Sequence, residues 1–201
     1  MKKRRERLKP EVRKAQIINV TRELILEKGL SYATVSRISE VLNISHTTLY
    51  YHFKNRREIL LETFKAVMEE IAQPLNLDTD DVYDFIHISA TAFFEQSRKN
   101  PKLGRLFLEL LCAPPEEIIY DEAQIQLSSL HNIYVSLIQK GVDQGIFRED
   151  TDVMLAGWQL MSFLLATFLG GMLELPNFIS LEQGLRSVDL ILDSLKPNEK
   201  L

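Results

Sequence analysis

The stretch Asn43–Leu60, NISHTTLYYHFKNRREIL, crowds two histidines, two tyrosines, two threonines and a lysine–arginine tail onto one short helix and its exit. A helix built only to pack needs few hydrogen-bonding side chains; one that lies against a polar partner needs many. Ser45 is a natural N-cap, and Ile44 before it can staple onto Leu49. Leu49 and Phe53, four residues apart, share one face and point inward. His46, Thr47, Thr48, Tyr50, Tyr51 and His52 are left facing outward.

Upstream, Thr34 caps a helix carrying Val35, Ile38, Val41 and Leu42, and Asn43 tolerates the left-handed backbone of a tight turn. Thr34–Phe53 therefore has the proportions of a helix-turn-helix. Its second helix, Ser45–Phe53, is about 13 Å long at 1.5 Å per residue, which suits a major groove about 12 Å wide. Threonine and tyrosine hydroxyls bond phosphate oxygens, and a threonine methyl can meet a thymine methyl. Lys54, Arg56 and Arg57 add charge where the next helix begins and backbone N–H groups favour anions. Tyr50 or Tyr51 can alternatively be a half-buried packing residue.

Charge is distributed in the same sense. Residues 1–60 carry 14 Lys+Arg and 6 Glu, a net +8, whereas residues 61–201 carry 10 Lys+Arg and 22 Asp+Glu, a net −12. Such a basic head on an acidic body meets a polyanion through the head alone, or else carries a merely solvated tail. One cysteine, Cys112, excludes an intramolecular disulfide and suits a reducing cytoplasm. No apolar run follows the basic MKKRRERLKPEVRK, so no secretory signal is expected.

Almost everything reads as helix. Pro10–Lys28 has helical apolar spacing and ends at Gly29; a fourth helix runs from about Arg56 to Ala72. Longer helices follow at about 79–98, 101–112, 119–144, 151–173 and 180–195. The expected class is all-α: a basic tail (1–9), a helix-turn-helix domain (10–55), a connecting helix (56–72) and a larger bundle (73–201).

The segment EKGLSYATVSRISEVLNISHTTLYYHFKNRREIL, Glu27–Leu60, resembles the DNA-binding domain of TetR-type (tetracycline-repressor-like) transcriptional regulators over residues 12–62. The resemblance implies that Thr34, Tyr50 and Arg56 bond phosphates, with Lys54 close by. Ser36, His46, Thr47, Thr48, Tyr51 and His52 would share base and backbone contacts in the groove. Asn43 stands where that family usually has glycine. The resemblance further implies a repressor that binds a double-stranded DNA operator and is released by a small effector. It makes 73–201 the ligand-binding and dimerisation domain. Phe64, Met68, Phe93, Phe107, Leu111, Tyr134 and Trp158 could line an apolar cavity for a fatty-acyl or aromatic ligand, although the same residues could simply be core.

Val153–Leu173 is 21 residues without a charge, long enough to span a bilayer. Gln159, Ser162 and acidic flanks without a positive cluster favour a helix buried in the protein and against a second copy. Ala166 and Gly170, and a stripe of Leu181, Leu185, Val188, Leu192 and Leu195, suit that interface. The family's four-helix dimer implies the same residues, 153–173 and 181–195. No HExxH, CxxC or phosphate loop is present, so neither catalysis, a cofactor nor a metal is expected. Cys112 reads as a small core residue, and His87, three residues after Asp84, as a surface hydrogen-bonding group. The competing function is an interaction protein that acts through its acidic bundle with vestigial DNA binding.

Overall fold

The computed structural model describes residues 8–77 and 79–197. All its regular structure is helical: α1 (Pro10–Lys28), α2 (Val35–Leu42), α3 (His46–His52), α4 (Arg56–Ala72), α5 (Val82–Lys99), α6 (Pro101–Leu111), α7 (Ile119–Asp143), α8 (Val153–Met172) and α9 (Leu181–Leu195). Leu30–Tyr32 and Gln73–Leu75 are single 3-10 turns. Apart from Leu8 and Lys9, the basic tail lies outside the described residues.

The chain divides into two compact units. The first runs up to Val67 and includes Leu106–Glu122; the second comprises Met68–Arg105 and the chain from Ala123 onward. The helices α4, α6 and α7 each contribute residues to both units.

In the first unit, local chemistry fixes the helix ends. Gly29 takes φ +84° and closes α1, its N–H bonding the Ile25 carbonyl at 2.7 Å. Thr34 Oγ1 accepts from Arg37 N at 3.3 Å, and Ser45 Oγ accepts from Thr48 N at 3.1 Å, so both caps form where the sequence places them. Asn43 adopts φ 50°, ψ 49°, the left-handed conformation that turns α2 into α3. Asn55 Oδ1 caps α4 through Glu58 N at 2.9 Å. Ile17, Ile38, Leu49 and Phe53 are buried beneath these helices.

In the second unit α5 packs against α8 and α9. A Cβ on Gly171 would lie 2.8 Å from the Ser97 carbonyl oxygen, so only glycine permits this approach of α8 to α5. Phe93 meets Phe168 edge to face at 6.2 Å, and Phe94 stacks on Phe178 at 6.1 Å. Asp152 caps α8 through Leu155 N, and a reciprocal Ser180–Gln183 capping box starts α9.

Four expectations change. Val188, Leu192 and Leu195 are buried in their own protomer's core and are not available to a partner. Gly170 is covered by Phe178, with which a Cβ would collide. Cys112 is exposed, because α6 ends at Leu111 and the chain turns outward there. His87 reaches across to Asp189 of α9 (2.8 Å) in preference to Asp84 on its own helix.

The Asn43 turn gives a direct test. Asn43→Gly should unfold in urea at a midpoint close to that of the wild type. Asn43→Val forces a β-branched residue into the left-handed region and should cost about 1–2 kcal/mol.

Candidate nucleic-acid interface

The helix α3 spans seven residues and buries only one of them fully, Leu49; Phe53, at its C-cap, is 2% exposed. Both side chains are drawn inward, so the remaining face is presented. His46, Thr47, Thr48, Tyr50 and Tyr51 are exposed, and His52 is half-buried. Between this face and the start of α1 runs an open groove of about 940 Å³, lined by Lys9, Pro10, Arg13, Thr47, Tyr51 and His52, among others. Sequence reasoning did not assign Arg13 to this surface; its helical register relative to α3 carried no local signal.

The hydroxyl geometry suits phosphate. Thr34 Oγ1 spends lone-pair capacity on Arg37 N, and its own O–H can still donate outward. Ser45 Oγ and Thr48 Oγ1 lie 2.9 Å apart and fix one another at the N-terminus of α3. Ser36 and Lys54 are exposed on either side of the turn. Tyr51 meets His52 edge on at 5.0 Å. Burial, followed by the positive charges of Arg13 and Lys14, holds the His52 pKa below its ordinary value. A neutral imidazole is thus favoured on this face.

Arg56 is placed differently from the exposed cations. Its guanidinium turns inward: Nε donates to the Ala33 carbonyl at 3.0 Å, Nη2 to the Leu30 carbonyl at 2.9 Å, and Nη1 to Glu117 at 3.0 and 3.3 Å. Lys54 and Arg57 remain exposed.

The ligand candidates are distributed over both units. Phe64, Phe107 and Leu111 belong to the first; Met68, Phe93, Tyr134 and Trp158 belong to the second. Phe93 and Tyr134 meet at a void of about 10 Å³ walled by α5, α7, α8 and α9, with Ser89 and Leu164 among the further lining residues. Burial pushes the Tyr134 phenol well above its usual pKa, so it stays a neutral hydrogen-bond donor. Trp158 is instead half exposed and stacks on His131 at 4.5 Å. His131 Nε2 lies 3.1 Å from the Met154 carbonyl, which can only accept, so that nitrogen carries the proton. Among the described residues no group of three or more His, Cys, Asp or Glu side chains gathers in a way that could hold a metal ion.

A capped, two-helix unit with an exposed polar second helix and a basic flank defines a helix-turn-helix DNA-binding protein. Residues 17–63 match the family model described as bacterial regulatory proteins, tetR family, so the chain carries a helix-turn-helix of that family's type. It is 26% identical over 156 residues to the uncharacterized HTH-type transcriptional regulator YdeS of Bacillus subtilis (strain 168), covering 76% of each chain. It is 25% identical over 154 residues to the fatty acid metabolism regulator protein of the same organism, covering 70% of this chain and 74% of that one. The fold also matches the crystal structure of the transcriptional regulator FadR from Bacillus subtilis in complex with stearoyl-CoA. That match has a TM-score of 0.72 at 21% identity and covers 90% and 98% of the two chains.

The His52 environment predicts a pH dependence. With the folded pKa depressed, the neutral-form contribution to stability is complete above the unfolded value of about 6.5. It is lost as pH falls from there through the folded value, because the unfolded chain takes up the proton first. Denaturation midpoints measured from pH 7 to pH 5 should therefore fall more steeply for the wild type than for His52→Gln.

Proposed function

We propose that the chain is a cytoplasmic, homodimeric repressor that holds a double-stranded DNA operator and is released by a largely apolar effector of the fatty-acyl class. The observation that carries this reading is the exposed, hydroxyl- and imidazole-rich face of α3 beside the basic start of α1. In this reading Thr34 and Tyr50 bond phosphates with Lys54 nearby. Ser36, His46, Thr47, Thr48, Tyr51 and His52 share base and backbone contacts. Phosphate contacts set affinity for every sequence, and base-edge contacts set the choice among them.

Two relatives support the effector class, one a fatty acid metabolism regulator and one structure holding stearoyl-CoA. The physical support is the void at Phe93 and Tyr134, which is almost wholly apolar apart from one phenol and one serine hydroxyl. At about 10 Å³ it has room for about one water, so an acyl chain entering there must part the helices around it. The connecting helix (56–72) and the 106–122 segment belong to both units or link them in sequence, which suits them to pass such a change from a 73–201 effector domain to a 10–55 DNA-binding domain.

The test begins by selecting bound fragments from source genomic DNA. Against the selected duplex, Tyr50→Phe should lower affinity for all sequences by about 1 kcal/mol, the size of one lost hydrogen bond. Thr47→Ala should instead alter the ranking of sequences. Stearoyl-CoA titrated into the wild-type complex should dissociate it. Dissociation by no acyl compound would sink the effector class and leave DNA binding standing.

Exposed apolar residues support the dimer. On α8, Leu155, Trp158, Ala166 and Leu169 recur at helical spacing and are all exposed, as is Leu190 on α9. Because these positions are open in the protomer, Leu155→Asp with Leu190→Asp should spare its helicity. The variant should sediment as a monomer and lose operator binding; a fully dimeric variant would reject this face.

A further inference from the structure

We propose that Arg56 is a positioning residue and not a phosphate ligand. Held by Glu117, it sets the Leu30–Thr34 segment and thereby the DNA-facing start of α2. The proposal rests on the DNA-binding reading but not on the effector class.

The geometry is that of an internal joint. Arg56 is the first residue of α4, and its side chain is only 27% exposed, with that of Glu117 at 22%. All three guanidinium nitrogens donate inward, two to the carbonyls of Leu30 and Ala33 and the third to both Glu117 carboxylate oxygens. The planar fork matches this division of labour, since a guanidinium offers five N–H groups in fixed directions. A second carboxylate grips the same segment from below: Glu109 Oε1 accepts from Leu30 N at 3.2 Å. The same oxygen would lie 2.9 Å from a Cβ at residue 29, a contact the flexible carboxylate relieves by shifting, so glycine is required there for its positive φ.

Ala33 is followed directly by Thr34, the N-cap of α2 and the proposed phosphate contact. Two acids from 106–122 thus hold the backbone from which the DNA face starts, and both lie in the same compact unit as that face. Turning Arg56 outward to a phosphate would strand Glu117 and two carbonyls. Charged hydrogen bonds of this kind are costly to break when partly buried. Lys54 and Arg57, both exposed, are free of that cost.

The two roles give opposite signs. Removing an acid from a DNA-binding surface ordinarily strengthens binding to a polyanion. Here Glu117→Gln should weaken operator binding, by about tenfold. Arg56→Lys, which keeps the charge but loses the fork, should weaken it similarly. In neither case should the slope of log affinity against log salt change, whereas a lost phosphate contact lowers it by about 0.9.

The experiment measures fluorescence anisotropy on the selected operator duplex across a sodium chloride series, using the full-length chain. The variants are Glu117→Gln, Arg56→Lys, Arg56→Gln and, as a phosphate control, Arg57→Gln. Amide exchange over residues 29–37 is followed in the same proteins, with thermal unfolding to verify folding. Weakened binding at constant slope, with faster exchange in 29–37 but not in α3, supports the positioning role. A lower slope in Arg56→Gln together with undiminished binding in Glu117→Gln would overturn it, as would unchanged exchange in both. A wild-type chain that bound no selected duplex would instead refute the DNA-binding reading, while the exchange data would still decide the joint.

Discussion

A seven-residue helix is too short to be stable in water on its own, because the cost of nucleating it is spread over too few hydrogen bonds. Everything this protein can present to DNA on α3 therefore depends on what holds that helix down. The anchor is Leu49, with Phe53 at the C-cap, both essentially removed from solvent. Burying a side chain of this kind contributes about 1.5–3 kcal/mol. The Ser45 cap then fixes its start, and the Phe53 N–H closes its end on the Leu49 carbonyl at 3.1 Å. Because the anchors use a single face, the polar residues need no role in folding and are left for recognition.

The same economy explains the different fates of the basic residues. Arg13 sits beside the groove, and Lys54 and Arg57 project from the turn with their side chains exposed. Arg56, one position from Arg57, is turned by the helix through about 100° per residue, enough to bring it against the Leu30 and Ala33 carbonyls. Two adjacent arginines thus separate into an outward charge and an inward fork. Charge counting alone treats them as equivalent; the helical register does not.

That difference marks what a sequence can disclose. Helix ends were legible because caps are local: Thr34, Ser45 and Gly29 act on residues within four positions. The exposed set on α3 was legible because Leu49 and Phe53 define the inward face. The partner of Arg56 was not, since Glu117 is 61 residues away and joins through a segment that returns to the first unit. Nor could apolar spacing on α9 distinguish two kinds of burial. Val188, Leu192 and Leu195 form a stripe suited to any apolar surface, and in the protomer α5 and α8 already supply one. The ligand candidates were legible only as a set, because a large buried side chain looks the same whether it fills a core or lines a void. Of them, Phe93 and Tyr134 alone meet at the void described.

The helix α8 is where composition is most ambiguous and structure most useful. Val153–Gly171 has a mean hydropathy of 1.6, enough by length and composition to cross a membrane. Yet its two faces have different environments. Ala156, Leu160, Leu164 and Phe168 are buried, and Phe168 packs against Phe93 of α5. Lifting α8 into lipid would strip that cover from α5, which carries Asp84, Glu95, Arg98 and Lys99 and cannot follow it. The buried face is therefore committed to the protomer. What remains is a narrow exposed stripe that includes Leu155, Trp158 and Leu169, interrupted by Gln159 and Ser162. A stripe one helix wide suits another helix better than a bilayer, since a flat helical partner can cover it while leaving the polar flanks wet. A second copy of the chain presents such a helix, and the two-fold pairing would also supply the second α3 that a half-site reader requires.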